Sequence, residues 1–398
     1  MIKLKQIKDL ELSGKRVILR ADLNVPVSNG KILDLTRLKK LSSTIRTLSK
    51  KRARIIIISH FGRPGGKINK DYSLGIVVPE LVKILKQEVR FSTDCLGQQA
   101  ENIVNSLASS EVALLENLRF YKGEEENDPE FARSLAKFGD IYINDAFSAS
   151  HRSHASVEEL PKLLVNAAGP QLLKEINSLN KLFTSRSGPV AAVVGGSKVS
   201  TKVSVINNLI KKTDYIIIGG AMANSFLYTI GQEVGCSMYQ KESKDIIKQI
   251  FLNSKKENCE IVLPIDAVVA DSIENPRFIE ECLISDVPKN KMILDVGKES
   301  ISHFISKIRS CKSILWNGPL GAFETEPFDK GTVTFANEIA ELTKNKEIIS
   351  VAGGGDTIHS LNKAGVTKKL SYVSTAGGAF LEWIEGKDLP GITVLDRA

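Results

Sequence analysis

Four arginines, Arg37, Arg63, Arg119 and Arg152, each follow a separate β-branched run in the first half of the chain. Three of the five histidines, His60, His151 and His154, lie in two of the same loops. A planar guanidinium suits carboxylate and phosphate better than a lysine point charge does. The loops read Arg20-Ala-Asp22-Leu23-Asn24, Ser59-His60-Phe61-Gly62-Arg63-Pro-Gly-Gly-Lys67, Glu116-Asn-Leu-Arg119 and Asn144 to His154. The glycines of the second permit close backbone approach to an anion, to which His60 and Arg63 can donate. If parallel strands deliver these loops to one end of a sheet, they form a pocket for a small polyanion. Taken alone, Asp22 and Asn24 read as turn residues.

The second half has three corners of another kind, each a strand, a glycine pair or triplet and a helix. In Gly195-Gly-Ser-Lys198-Val-Ser-Thr-Lys202 the spacing is not that of a Walker A loop. Lys198 and Lys202 are expected at i and i+4 in the first helical turns. The positive end of the helix dipole disfavours cations there, and a bound anion would relieve the conflict; solvated surface lysines are the bland alternative. Gly353-Gly-Gly-Asp356-Thr357 offers a phosphate its exposed N–H groups and a carboxylate for phosphate-bound Mg²⁺, although Asp356 could equally be a helix N-cap. The third corner is Thr375-Ala-Gly-Gly-Ala379. The string Trp316-Asn317-Gly-Pro-Leu-Gly-Ala-Phe-Glu324 could present Asn317 and Glu324 to a ribose or phosphate. Together the corners suggest a nucleotide.

The elements that must position these residues alternate. Candidate strands are Arg16–Asn24, Arg54–His60, Glu111–Asn117 and Asp140–Asp145, then Pro189–Gly196, Asp214–Gly220, Ile261–Ala270, Ser313–Gly318, Ile348–Gly353 and Tyr372–Thr375. Between them, Leu74, Val77, Val78, Leu81, Val82 and Leu85 show helical spacing. Near-continuous apolar strands alternating with helices indicate parallel sheets covered on both faces. In such sheets ligands bind beyond the carboxyl ends of the strands. The length exceeds one ordinary core. The fold class is therefore α/β, with two doubly wound parallel-sheet, Rossmann-like domains joined by a helix and a cleft between them. Residues 1–170 and a tail, 386–398, form one domain; 171–187 are the joining helix, opened by Gly-Pro and closed by Ser187-Gly-Pro; 188–385 form the other.

Composition narrows the function classes. With 42% hydrophobic and 25% charged residues the chain reads as globular. Its start lacks the apolar run of a secretory signal, and no stretch is apolar enough to span a membrane. Five cysteines without a CxxC pair argue against a disulfide framework or zinc site and for a reducing cytoplasm. The net charge of +8 is concentrated in residues 1–170, with 27 Lys and Arg against 20 Asp and Glu. A non-enzymatic RNA- or polyanion-binding protein is thus an alternative, though 6% aromatics gives it little to stack bases on. A nicotinamide enzyme would need a G-x-G-x-x-G after the first strand of a half, and none is present.

In order and spacing, RADLNVP, SHFGRP, ENLRF, INDAF…HRSH, GGSKVSTK, WNGPLGAFE and GGGDT resemble the successive signatures of the phosphoglycerate kinase family along nearly the whole chain. The resemblance implies a phosphotransferase of glycolysis that moves the acyl phosphate of 1,3-bisphosphoglycerate to Mg-ADP, giving 3-phosphoglycerate and Mg-ATP, by in-line transfer after domain closure. It places the substrate on Asp22, Leu23, Asn24, Arg37, His60, Phe61, Gly62, Arg63, Arg119, His151 and Arg152. It places the nucleotide on Lys198, Lys202, Gly219, Gly220, Asn317, Glu324, Gly354, Gly355, Asp356 and Thr357, with Arg37 and Lys202 catalytic and Asp356 toward Mg²⁺. It also implies a cytoplasmic monomer with small-molecule substrates, no nucleic acid or membrane partner, and a C-terminal segment, Leu389–Leu395, that packs on the first domain. The chain departs from the family at Ala376, where a glycine is usual, and at Ser148 and Ser150, where smaller residues are usual. A carboxylate nucleophile, already ionised at neutral pH, needs no general base. The chemical work is charge neutralisation and alignment.

Overall fold

The computed structural model describes residues 3–184 and 188–397, and it divides into two compact units. Residues 1–177 with 388–398 make the first, and residues 178–387 the second. The Pro170–Thr184 helix runs from one into the other. Ser187, expected to help close that helix, lies outside the described residues.

The first unit is built on a six-stranded parallel sheet. Across it run Val89–Phe91, Val112–Leu114, Arg54–Ile58, Arg16–Arg20, Ile141–Asn144 and Val165–Ala168. Val17 pairs in register with Ile55 on one side and Ile141 on the other, which aligns the strand ends. Successive residues face opposite sides. Val17, Leu19, Ile55 and Ile57 pack on the Thr36–Lys50 helix, whose Leu38, Leu41, Ile45 and Leu48 recur at helical spacing and are buried. Each such side chain contributes roughly 1.5–3 kcal/mol of burial. That helix carries Arg37 in its first turn, so its apolar stripe fixes where Arg37 stands.

The second unit repeats the plan. Its sheet order is Glu260–Val262, Tyr215–Ile218, Val190–Val194, Ser313–Asn317, Ile349–Gly353 and Tyr372–Ser374, all parallel. Trp316 meets Phe335 edge to face at 5.0 Å in its core. The expected Ile261–Ala270 strand is two elements. Pro264 lacks the N–H a ladder needs, so pairing stops at Val262 and resumes at Asp266–Ala270 in a separate antiparallel sheet with Ile279–Leu283 and Met292–Val296. Those two partner strands, and Val89–Phe91 and Val165–Ala168, are short or half-exposed and give weak sequence signals. The first-unit strands that end in the candidate loops stop short of the ends their apolar runs suggest, because the following residues turn out of the ladder.

The tail returns to the first unit. Gly391 N–H donates to the Ser150 carbonyl at 2.9 Å, and its own carbonyl accepts from Asn144 Nδ2 at 2.8 Å. Asp396 N–H donates to Asn166 Oδ1 at 2.7 Å. A Cβ on residue 391 would lie 2.6 Å from Val157 Cγ1 and 2.9 Å from the Ser150 Cα. Gly391→Ala is therefore expected to cost about 1–3 kcal/mol of first-unit stability through overpacking, read as an earlier midpoint in denaturant unfolding. An unchanged midpoint would mean the tail adjusts freely.

Candidate functional site

In the first unit the four loops leave the carboxyl ends of adjacent strands and are cross-linked to one another. Gly62 is one junction: its N–H donates to Asn24 Oδ1 at 2.9 Å, and its carbonyl accepts from Arg119 Nη1 at 2.7 Å. It has φ near +60°, and a Cβ there would lie 2.2 Å from the Tyr72 ring, so only glycine fits. Asn117 is another, accepting from Phe61 N–H and donating to the Phe61 and Tyr72 carbonyls. Asp145 anchors the last loop by accepting from Thr44 Oγ1 at 2.5 Å and from Gln171 N–H at 2.7 Å. Burial pushes its carboxyl up to about 6.

Arg37 Nη1 donates to Asp22 Oδ1 and to the Asn24 carbonyl, both at 2.7 Å. Arg119 is buried, and its Nη2 has no hydrogen-bond partner among the described residues. Desolvation, with Arg152 and Arg20 nearby, pulls its guanidinium down to about 10. His151 is held down to about 4 by burial and by Arg152, and burial with Arg20 holds His60 well below its ordinary value. Both imidazoles are therefore neutral near pH 7. Arg63 is exposed. Arg119 Nε faces Glu125 Oε1 at 3.2 Å and Arg37 pairs with Asp22, while Arg20, Arg119 and Arg152 still repel one another, which an anion would relieve.

Sequence reasoning overlooked some of this. Arg20, the last residue of an apolar strand, is fully buried and donates to Ser156 Oγ and the Ala21 carbonyl, with Nη2 3.1 Å from His60 Nδ1. The buried Glu124 accepts from Ser156 N–H and Oγ behind it. The only available signal was an arginine ending an apolar run. Leu23 and Phe61 turn their side chains into the core, so they can offer a ligand backbone alone.

In the second unit the glycine corners are close-packed backbone. A Cβ at Gly195 would lie 2.0 Å from the Pro319 carbonyl oxygen, and one at Gly220 2.7 Å from that of Gly196. Gly219 N–H donates to the Val194 carbonyl, and Gly220 caps the Ala221–Thr229 helix. Two expectations need correction. Lys198 is extended and exposed, and the α-helix starts only at Val203, so the two lysines do not share its first turns. Gly354, with φ near +102°, is the cap of the Gly355–Lys363 helix, while Asp356 stands in its first turn with no capping bond. The left-handed residue took the cap that aspartate would otherwise supply.

Lys202 Nζ donates to Asn317 Oδ1, and Asn317 Nδ2 donates to the Gly353 carbonyl at 2.7 Å. Asn317 thus ties the Lys202 corner to the Gly353 corner. Burial lowers the Lys202 pKa, and the charges of Asp356 and Glu385 oppose that shift. Thr357 Oγ1 accepts from Gly318 N–H at 2.7 Å. Ala376 is buried and is not among the residues with positive φ, so its methyl brings no left-handed strain.

Beside these corners lies a pocket of about 480 Å³. Gly196, Gly220, Glu324 and Asp356 line it together with Leu227, Met238, Met292, Pro319 and Leu320. Apolar walls with a few polar groups at the edges suit a flat heterocycle with a polar tail. Pro319 and Leu320 belong to the Trp316–Glu324 string, whereas Leu227, Met238 and Met292 are spread over distant segments and carry no motif.

The family model described as phosphoglycerate kinase matches residues 7–387. The chain is 48% identical over 394 residues to the phosphoglycerate kinase of Allorhizobium ampelinum, covering 99% of this chain and 98% of that one. It is 49% identical over 386 residues to that of Zymomonas mobilis, covering 97% of each. The solved structure of phosphoglycerate kinase from Coxiella burnetii superposes with a TM-score of 0.91 at 38% identity, covering 98% of both chains.

Proposed function

Since the chain belongs to the phosphoglycerate kinase family and catalyses the reversible glycolytic transfer of the acyl phosphate of 1,3-bisphosphoglycerate to ADP, giving 3-phosphoglycerate and ATP, we propose that its two loop systems divide the ligands between them. The loops of the first unit take the phosphoglycerate: Asp22 to Asn24, Arg37, His60 to Arg63, Arg119, His151 and Arg152. The observation that carries this is the buried Arg119 Nη2, which has no hydrogen-bond partner among the described residues while Nε of the same guanidinium faces Glu125. The glycine corners and the adjoining pocket take the nucleotide: Lys198, Lys202, Gly219, Gly220, Asn317, Glu324 and Gly354 to Thr357.

Each group then has a task. Helix and loop N–H groups and the distant arginines hold the phosphates. The carboxylate that accepts the phosphoryl group is ionised and requires no proton removal. Arg37 and Lys202 are the groups assigned to the negative charge of transfer, and each is held in advance within its own unit, by Asp22 and by Asn317. Such preorganised charge lowers the barrier without reorganisation at the moment of transfer.

Asp356 fits a Mg²⁺ carried on the nucleotide. Its carboxylate is exposed and makes no capping bond. No group of three or more His, Cys, Asp or Glu that could hold a metal is gathered among the described residues; Asp356 is the carboxylate assigned to the ion, with phosphate and water completing its shell. Bound there, Mg²⁺ screens the phosphate charge. No described helix is long and apolar enough to cross a membrane. A cytoplasmic monomer acting on diffusible substrates completes the reading.

Arg63→Ala and Arg152→Ala test the division. Both should raise KM for 3-phosphoglycerate, by roughly tenfold for each charge-assisted hydrogen bond removed, and leave KM for ATP and kcat nearly unchanged in a coupled assay. A change confined to the nucleotide KM would assign the loops the other way.

A further inference from the structure

Ser148, in the last of the first-unit loops, donates from Oγ to Asp22 Oδ2 at 2.6 Å. It occupies a stiff turn. Phe147 and Ala149 on either side are buried, Ala146 N–H donates to Asn144 Oδ1, and Ser150 Oγ donates to the Ala146 carbonyl. Ser150 is in turn bonded to the tail through Gly391 N–H. The Ser148 hydroxyl is thus delivered to Asp22 by a held backbone.

The carboxylate it meets is divided. Asp22 Oδ1 accepts from Arg37 Nη1 at 2.7 Å and from Asn24 N–H at 3.2 Å, while Oδ2 accepts from Ser148. A carboxylate free of Ser148 could turn both oxygens to the guanidinium in a parallel two-bond pair, the strongest geometry an arginine makes with it. The guanidinium would then turn with the carboxylate and lose its present orientation. With Oδ2 spoken for, Asp22 orients Arg37 through a single oxygen.

We propose that Ser148 is a positioning residue for the phosphoglycerate side of the reaction, acting through Asp22 to hold Arg37 aligned. The inference rests on the assignment of Asp22 and Arg37 to that side.

A double-mutant cycle of Ser148→Ala and Asp22→Ala, with Ser148→Thr as the conservative control, tests it on the full-length enzyme. Ser148→Ala should lower kcat/KM for 3-phosphoglycerate by roughly tenfold, the scale of one hydrogen bond to a charged group. The KM for ATP and the thermal midpoint should stay put, and Ser148→Thr should recover most of the loss. In the Asp22→Ala background Ser148→Ala should change kcat/KM by less than about twofold, since it has nothing left to act through. Equal effects in both backgrounds, or no effect in either, would overturn the role of Ser148. Normal 3-phosphoglycerate kinetics in Asp22→Ala alone would instead overturn the placing of Asp22, so the two failures are told apart.

Discussion

Arg37→Ala should lower kcat roughly 10³-fold, the scale on which phosphoryl-stabilising arginines act, with a much smaller change in KM for 3-phosphoglycerate. Arg37 stands at the N-terminal turn of the Thr36–Lys50 helix, where the helix dipole opposes a cation. It is kept there by Asp22 Oδ1 and the Asn24 carbonyl. A guanidinium held against an unfavourable field, in a unit whose neighbouring loops carry Arg63, Arg119 and Arg152, is suited to charge that appears only during transfer. The arginine is partly solvated, so its ion pair with Asp22 contributes little to folding. The variant should therefore unfold at nearly the wild-type temperature, which separates lost chemistry from lost structure. Steady-state kinetics in both directions measure it. A rise in KM at constant kcat would make Arg37 a ground-state anchor.

Asp356→Asn should lower turnover by at least roughly 10- to 100-fold, the range known even for groups that merely orient metal ligands, with partial recovery at high Mg²⁺. The structure removes the competing explanation. Gly354, not Asp356, caps the Gly355–Lys363 helix, and the Asp356 side chain makes no capping bond. Losing its charge from the first turn costs about 0.3–1 kcal/mol, too little to unfold the unit. Any large loss of activity in a folded variant then reflects the lost charge of Asp356 rather than a lost helix cap. Asn offers only a neutral carbonyl to a hard cation that prefers charged oxygens. Titrating Mg²⁺ against rate for both proteins is the measurement. Full activity at low Mg²⁺ would leave the metal held by phosphate and water alone.

Much of the site was legible because its signals are local. An apolar run followed by glycine or arginine specifies a parallel strand and its exit loop within a short stretch of chain, and register does the rest. Once Val17 sits beside Ile55 and Ile141, the loops bearing Asp22, His60 and Asp145 must emerge together. Gly62 and Gly220 were singled out by their motifs, and the structure supplies the reason for glycine there, a positive φ beside close neighbours.

By itself, then, the sequence determined the alternating plan, both parallel sheets, the arginine-bearing loops and the glycine corners. Each depends on residue type and short spacing. The tertiary structure alone decided that Asp266–Ala270 leaves the parallel sheet, that Lys198 stays outside the helix and that Gly354 takes the cap from Asp356. It alone showed that Arg20 is buried against His60, that Asn317 holds Lys202 and that Ser148 meets Asp22 across 126 positions of chain. These depend on which groups meet after folding. A buried donor or carboxylate must find a partner wherever the packed chain supplies one, and sequence spacing carries no record of that choice.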